Sequence, residues 1–112
     1  MSISYLKHQI ERIKRAIEEE KSKIADSRKD ITSTRLRKSR RAEHYSYYIK
    51  ALSSRTAKTD KREARKKEWE EFSRVIEREK ETIVSCRDRI KKHREDLKKS
   101  RENLKNHWAN KK

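Results

Sequence analysis

Isoleucine recurs every seven residues along the first part of the chain, at Ile3, Ile10, Ile17, Ile24 and Ile31. A seven-residue apolar period marks a helix that packs against another helix along a single seam. With these residues at heptad position a, the matching d positions are Leu6, Ile13, Glu20, Ser27 and Thr34. The same phase continues through Lys38, Arg41, Tyr45 and Tyr48 to Leu52. A second series holds one phase through Trp69, Ile76, Ile83, Ile90, Leu97 and Leu104 at a. Its d positions are Phe72, Glu79, Cys86, His93, Ser100 and His107. Phases kept this long argue for a coiled coil rather than a merely amphipathic helix.

Between the two series, Ser53 to Asp60 is polar and lacks apolar periodicity, and Asp60 followed by Glu63 has the spacing of a capping box. The pattern therefore predicts helix 1 over residues 3–52, a turn over 53–60 and helix 2 over 61–108. The fold class expected is all-α: a single domain, residues 1–112, forming an antiparallel two-helix coiled-coil hairpin. Its thin core leaves room for a second copy, which would make a homodimeric four-helix bundle. The register suggested by a turn at 53–60 sets Tyr45 against Phe72, Tyr48 against Trp69 and Lys38 opposite Glu79. It brings Glu20 near Leu97 and Arg41 near Ile76, with the long stems snorkelling outward. It also gathers Tyr45, Tyr48, Leu52, Trp69 and Phe72 into an aromatic plug beside the turn. The middle, with Ser27, Thr34, Cys86 and Ser100 at core positions, is expected to pack loosely, and Trp108 with Tyr5 to close the open end.

Composition narrows the choice further. Hydrophobic residues make up 29% of the chain and charged residues 48%. A three-dimensional core cannot be filled from that share, whereas a two-helix seam needs only about two apolar positions in seven. Glycine and proline are both absent, so neither of the strongest helix breakers is available. No apolar run approaches the ~18 residues of a membrane span, and the N-terminus has no signal-peptide core. The single cysteine, Cys86, cannot form an internal disulfide, which fits a reducing compartment. These features suit a soluble cytoplasmic protein.

The net charge of +16 speaks to partners rather than to fold. Its placement is one-sided. Lys7, Lys14, Lys21, Arg28 and Arg35 occupy e positions of the first series, and Lys80, Arg87, Arg94 and Arg101 occupy those of the second. In an antiparallel pair the two e edges face each other, where opposite charges are the usual arrangement. Like charges there cost stability but make a linear cationic edge. Two basic clusters flank the turn: one contains Arg35, Arg37, Lys38, Arg40 and Arg41, and the stretch from Lys58 to Lys67 contains six Lys or Arg. Tyr47 lies off the core face beside them and is the candidate tip contact. A charge run is most often just a solvated face, but unbroken cations at e from Lys7 to Arg35 and from Lys80 to Arg101, nine in all, favour a binding edge. The polyanion-binding candidates are therefore the nine e residues with Arg37, Arg40 and Arg41.

Other chemistry finds little support. His93 and His107 stand fourteen residues apart on one helix and Cys86 adds no ligand spacing, so no metal or cofactor is expected. Without glycine there is no phosphate-cradling loop, and the carboxylates lie among Lys and Arg on exposed helix faces. Neither catalysis nor a small-molecule substrate is expected. In architecture alone the chain resembles the stalk proteins of type III export, the helical hairpins of type VII secretion and small phage proteins that block host machinery. The type VII group carries a Trp-x-Gly turn that this chain lacks. Two partners fit the pattern: nucleic acid held along the cationic edge, or an acidic protein bound by an adaptor, secretion chaperone or inhibitor. A membrane surface does not, since the apolar faces are needed for the hairpin.

Overall fold

The computed structural model describes residues 2–110. Residues 1, 111 and 112, the ends of the predicted domain, lie outside the described residues. Two α-helices account for nearly all of it: α1 is Ile3–Ala51 (49 residues) and α2 is Arg55–Ala109 (55 residues). They pack as an antiparallel helical hairpin, and the described residues contain no strand. No helix is long and apolar enough to cross a membrane.

Residues 52–54 alone join the helices, so the turn is much shorter than the predicted 53–60 and α2 begins six residues earlier. The reason lies in capping. Ser54 is the N-cap: its hydroxyl accepts from the Ala57 N–H at 3.3 Å, the usual way a helix start satisfies an orphan donor. Ser2 starts α1 in the same way, accepting from the Tyr5 N–H at 3.1 Å. Nothing between Arg55 and Asp60 breaks a helix, and the Thr59 hydroxyl donates to the Arg55 carbonyl at 3.0 Å inside it. Asp60 and Glu63 are therefore interior residues of α2, not its cap.

The shorter turn changes the register. Glu20 meets Arg89 at 3.0 Å, not Leu97. Arg41 meets Glu68 at 3.0 Å, not Ile76. Tyr45 meets the Trp69 ring at 6.1 Å, not Phe72, and the Lys38 ammonium stands 5.7 Å from the Trp69 ring rather than opposite Glu79. The shift amounts to about one heptad towards the turn, the step that keeps both seams facing each other.

The chain divides into two compact units: Met1–Asp26 with Thr82–Lys112, and Ser27–Glu81, which contains the turn. In the first unit Leu6, Ile10, Ile17 and Ile24 of α1 are buried, as are Ile83, Cys86 and Ile90 of α2. In the second, Ser27, Ile31, Thr34 and Tyr45 are buried, with Trp69, Phe72 and Ile76 half-buried. Every predicted a and d position is buried or half-buried except Tyr48. The small core residues are shielded from water in each unit: Cys86 is 0% exposed in the first and Ser27 5% in the second. Small side chains at d allow the neighbouring isoleucines to close over them. The Thr34 hydroxyl is satisfied by the Asp30 carbonyl at 2.7 Å.

The aromatic plug forms without Tyr48. Trp69 meets Tyr45 and Phe72 edge-on, each with ring centroids 6.1 Å apart, a favoured aromatic geometry. Tyr48 remains 44% exposed because the register places Lys61, not an apolar side chain, beside it: the Lys61 ammonium lies 5.5 Å from its ring. Tyr5 and Trp108, expected to close the open end, are 49% and 52% exposed. Truncating the two tyrosines separates their roles. Tyr45→Ala is expected to cost about 3–5 kcal/mol, and Tyr48→Ala under ~1 kcal/mol, in urea unfolding followed by helical circular dichroism. Equal losses would return Tyr48 to the core.

Candidate functional site

The heptad that buries a and d must push e towards solvent, and the structure does so. Lys7, Lys14, Lys21, Arg87, Arg94 and Arg101 are all exposed in the first unit, and Arg28, Arg35 and Lys80 in the second. Three of the nine make ion pairs with a carboxylate one turn earlier on their own helix: Lys14–Glu11 and Lys21–Glu18 at 3.5 Å, and Lys80–Glu77 at 3.6 Å. Such exposed i, i+3 pairs hold a side chain only weakly. The other six have no ion-pair partner among the described residues. In the first unit Lys21, Arg94 and Arg101 line one groove of about 530 Å³ together with Lys98, Lys105 and Glu102, over a floor of Ile17 and Leu97.

The second unit concentrates the charge. Residues 35–67 carry thirteen Lys or Arg and three Asp or Glu, a net +10 out of the chain's +16. Arg37 and Arg40 are exposed there, and Tyr47 is 72% exposed. Arg41 differs from the other candidates. Its guanidinium donates from Nε and Nη2 to the two Glu68 oxygens at 3.0 and 3.3 Å, and from Nη2 to the Tyr45 hydroxyl at 3.4 Å. It also stacks 5.0 Å from the Tyr45 ring. A bidentate fork of this kind fixes geometry, so Arg41 serves the helix pair rather than the free surface.

Sequence reasoning placed the basic cluster of 58–67 but not the shape around it. Arg62, Arg65, Lys66 and Trp69 of α2 line a groove of about 390 Å³ with Ala42 of α1 as its floor. Ala42 also lines a second groove, of about 520 Å³, with Glu43, Ser46, Tyr47 and Lys50. The signal was present in the heptad: Ala42 falls on e, where a side chain without length leaves a gap. It was hidden because the partner across the seam depends on the register.

One polar cluster lies inside the first unit. Glu20, 7% exposed, accepts at Oε1 from Arg89 Nε at 3.0 Å and from Lys23 at 3.5 Å. Arg89 Nη2 also reaches the Cys86 sulfur at 3.3 Å. Glu20 Oε2 is buried without a conventional hydrogen bond, and the Cys86 thiol bonds weakly to the same carboxyl. That thiol, and then the Arg89 guanidinium, hold the Glu20 carboxyl below the usual range against the opposing pull of burial. Burial, followed by the Glu20 carboxylate, pushes the Cys86 thiol up, so Cys86 is kept as a neutral thiol. In the second unit the Tyr45 hydroxyl and the Arg41 guanidinium likewise lower Glu68 against burial. No group of His, Cys, Asp and Glu among the described residues could hold a metal ion.

The comparisons add nothing to this geometry. No protein-family model, curated protein or solved structure matches the chain. The reading rests on the residues themselves.

Both lowered carboxyls link stability to pH. A group with a depressed folded pKa contributes stability above its unfolded value and loses it as pH falls through the folded one. Glu20→Gln and Glu68→Gln are therefore expected to unfold at lower urea than the parent at neutral pH. Below the ordinary carboxylate value of 4.5 the gap should narrow as the parent's carboxyls take up protons. Urea midpoints measured from neutral pH down into that acid range check this; a gap that stays constant would show that neither carboxylate is coupled to folding.

Proposed function

We propose that the chain is a non-enzymatic nucleic-acid-binding helical hairpin that holds the phosphate backbone on exposed cations. The observation that supports this most is the state of those cations: the nine cationic e residues all face solvent, and six of them have no carboxylate partner among the described residues. A face that served solubility alone would gain from mixed signs and local pairing. Rows of Lys and Arg at one-heptad spacing, free of ion pairs among the described residues, can instead displace the cations condensed along a polyanion. Contact of this kind reads charge and backbone and carries no base sequence.

The test is binding of labelled nucleic acid across a salt series. With roughly six phosphates engaged, affinity is expected to fall on the order of 10³-fold between about 50 and 200 mM salt. Changing Arg87, Arg94 and Arg101 together to Gln should reduce the log–log slope by about 2–3. Binding that stays flat across that range would overturn the proposal.

A second reading, an adaptor for an acidic protein partner, is favoured by the groove over Ile17 and Leu97. Its apolar floor and cationic rim suit an acidic amphipathic helix as well as a phosphate chain. A stoichiometric complex with one acidic protein that survives nuclease would support it over nucleic acid.

A further inference from the structure

Around the turn, the two grooves that meet at Ala42 are unlike the rest of the surface. The α2 side presents Arg62, Arg65 and Lys66 beside the Trp69 indole, with no carboxylate in the lining. The α1 side presents Tyr47 with Ser46 and Lys50, and holds the only lining carboxylate of either groove, Glu43. Phosphate is therefore welcome on the α2 side and repelled beside Glu43, where the exposed Tyr47 ring offers a flat face. Tyr48 adds a second partly open ring, 5.8 Å from Tyr47 and capped on its other contacts by His44 at 4.4 Å. Ala42 is what connects the two sides, since its methyl group leaves the gap that any longer side chain at this e position would fill.

We infer that this double groove over Ala42 is a subsite for single-stranded nucleic acid, with the backbone on Arg62, Arg65 and Lys66 and an unpaired base stacked on Tyr47. The inference rests on the nucleic-acid reading above and makes it specific. A duplex keeps its bases stacked on each other and can use only the cations. A single strand can use the cations and the ring, and base–aromatic stacking is a main source of affinity in sequence-tolerant single-strand binding.

The experiment compares single-stranded DNA and RNA homopolymers of about fifteen nucleotides with a duplex matched in phosphate number, by fluorescence anisotropy at fixed salt. The proteins are the parent chain, Ala42→Leu, Tyr47→Ala and Tyr47→Phe. Ala42→Leu fills the floor without changing charge and keeps a strong helix former; Tyr47 is exposed, so its replacement leaves the core intact. The parent is expected to prefer single strands. Ala42→Leu and Tyr47→Ala should each lose roughly 5- to 150-fold in single-strand affinity, the range of one lost stack, with duplex affinity unchanged. Tyr47→Phe should bind as the parent does. The DNA and RNA arms show whether the sugar matters to the subsite. Equal affinity of the parent for single strand and duplex, or single-strand affinity untouched by Ala42→Leu and Tyr47→Ala, would overturn this inference and leave the nucleic-acid reading standing. No binding of any strand would overturn both.

Discussion

Register is the constraint on which the rest of this structure depends. Two helices with one-sided apolar seams can be paired at several offsets a heptad apart, and each offset buries a similar set of a and d residues. What selects among them is the turn and the few side chains that differ between layers. Ser54 caps α2 and leaves only residues 52–54 to reverse the chain. The tight turn puts Glu68 within reach of Arg41, Trp69 against Tyr45 and Arg89 beside Glu20. A longer turn would leave Glu20 facing Leu97 and without the Arg89 guanidinium, keeping only the long contact to Lys23 on its own helix, and removing one partner of a buried pair is costly.

Polar residues in the seam therefore act as specificity devices in each unit. The Glu20–Arg89 pair in the first and the Arg41–Glu68 pair in the second form only at the observed offset. Single polar groups at core positions fix register in this manner in other helical pairs. The aliphatic residues around them supply most of the burial but are nearly indifferent to a one-heptad slip, because isoleucine repeats at the same spacing. Stability and specificity are thus carried by different residues of one seam.

The fold was legible in the sequence because periodicity is a local property. The isoleucine repeat alone identifies both seams, and the burial of Leu6, Ile17, Ile83 and Ile90 follows from it. The exposure of the cationic e positions follows as well, since long charged side chains that flank the seam carry their heads out into water. The turn was less legible. Polar character between Ser53 and Asp60 reads as loop, yet a chain without glycine or proline continues as helix wherever a cap permits, and Ser54 is a better cap than Asp60 is. From that one displacement came the other differences: Tyr48 left the core, Arg41 joined Glu68, and Glu20 was buried instead of snorkelling. The groove over Ala42 was illegible for the same reason, because it needs to be known which α2 residues stand across from residue 42.

Function inherits this dependence. The exposed e cations would face solvent at any heptad offset, so the proposed attraction to polyanions is insensitive to register. The meeting of Ala42 with Arg62, Arg65, Lys66 and Trp69 is not, and a slip of seven residues would dismantle it. The most direct measurement is a charge-swap cycle on Arg41 and Glu68, read as urea midpoints. Arg41→Glu and Glu68→Arg are each expected to lower the midpoint, and the double variant to recover most of the loss, because the pair is restored with its charges exchanged. If the two losses simply add, Arg41 and Glu68 are not partners, and the register on which the groove and the seam both depend is contradicted.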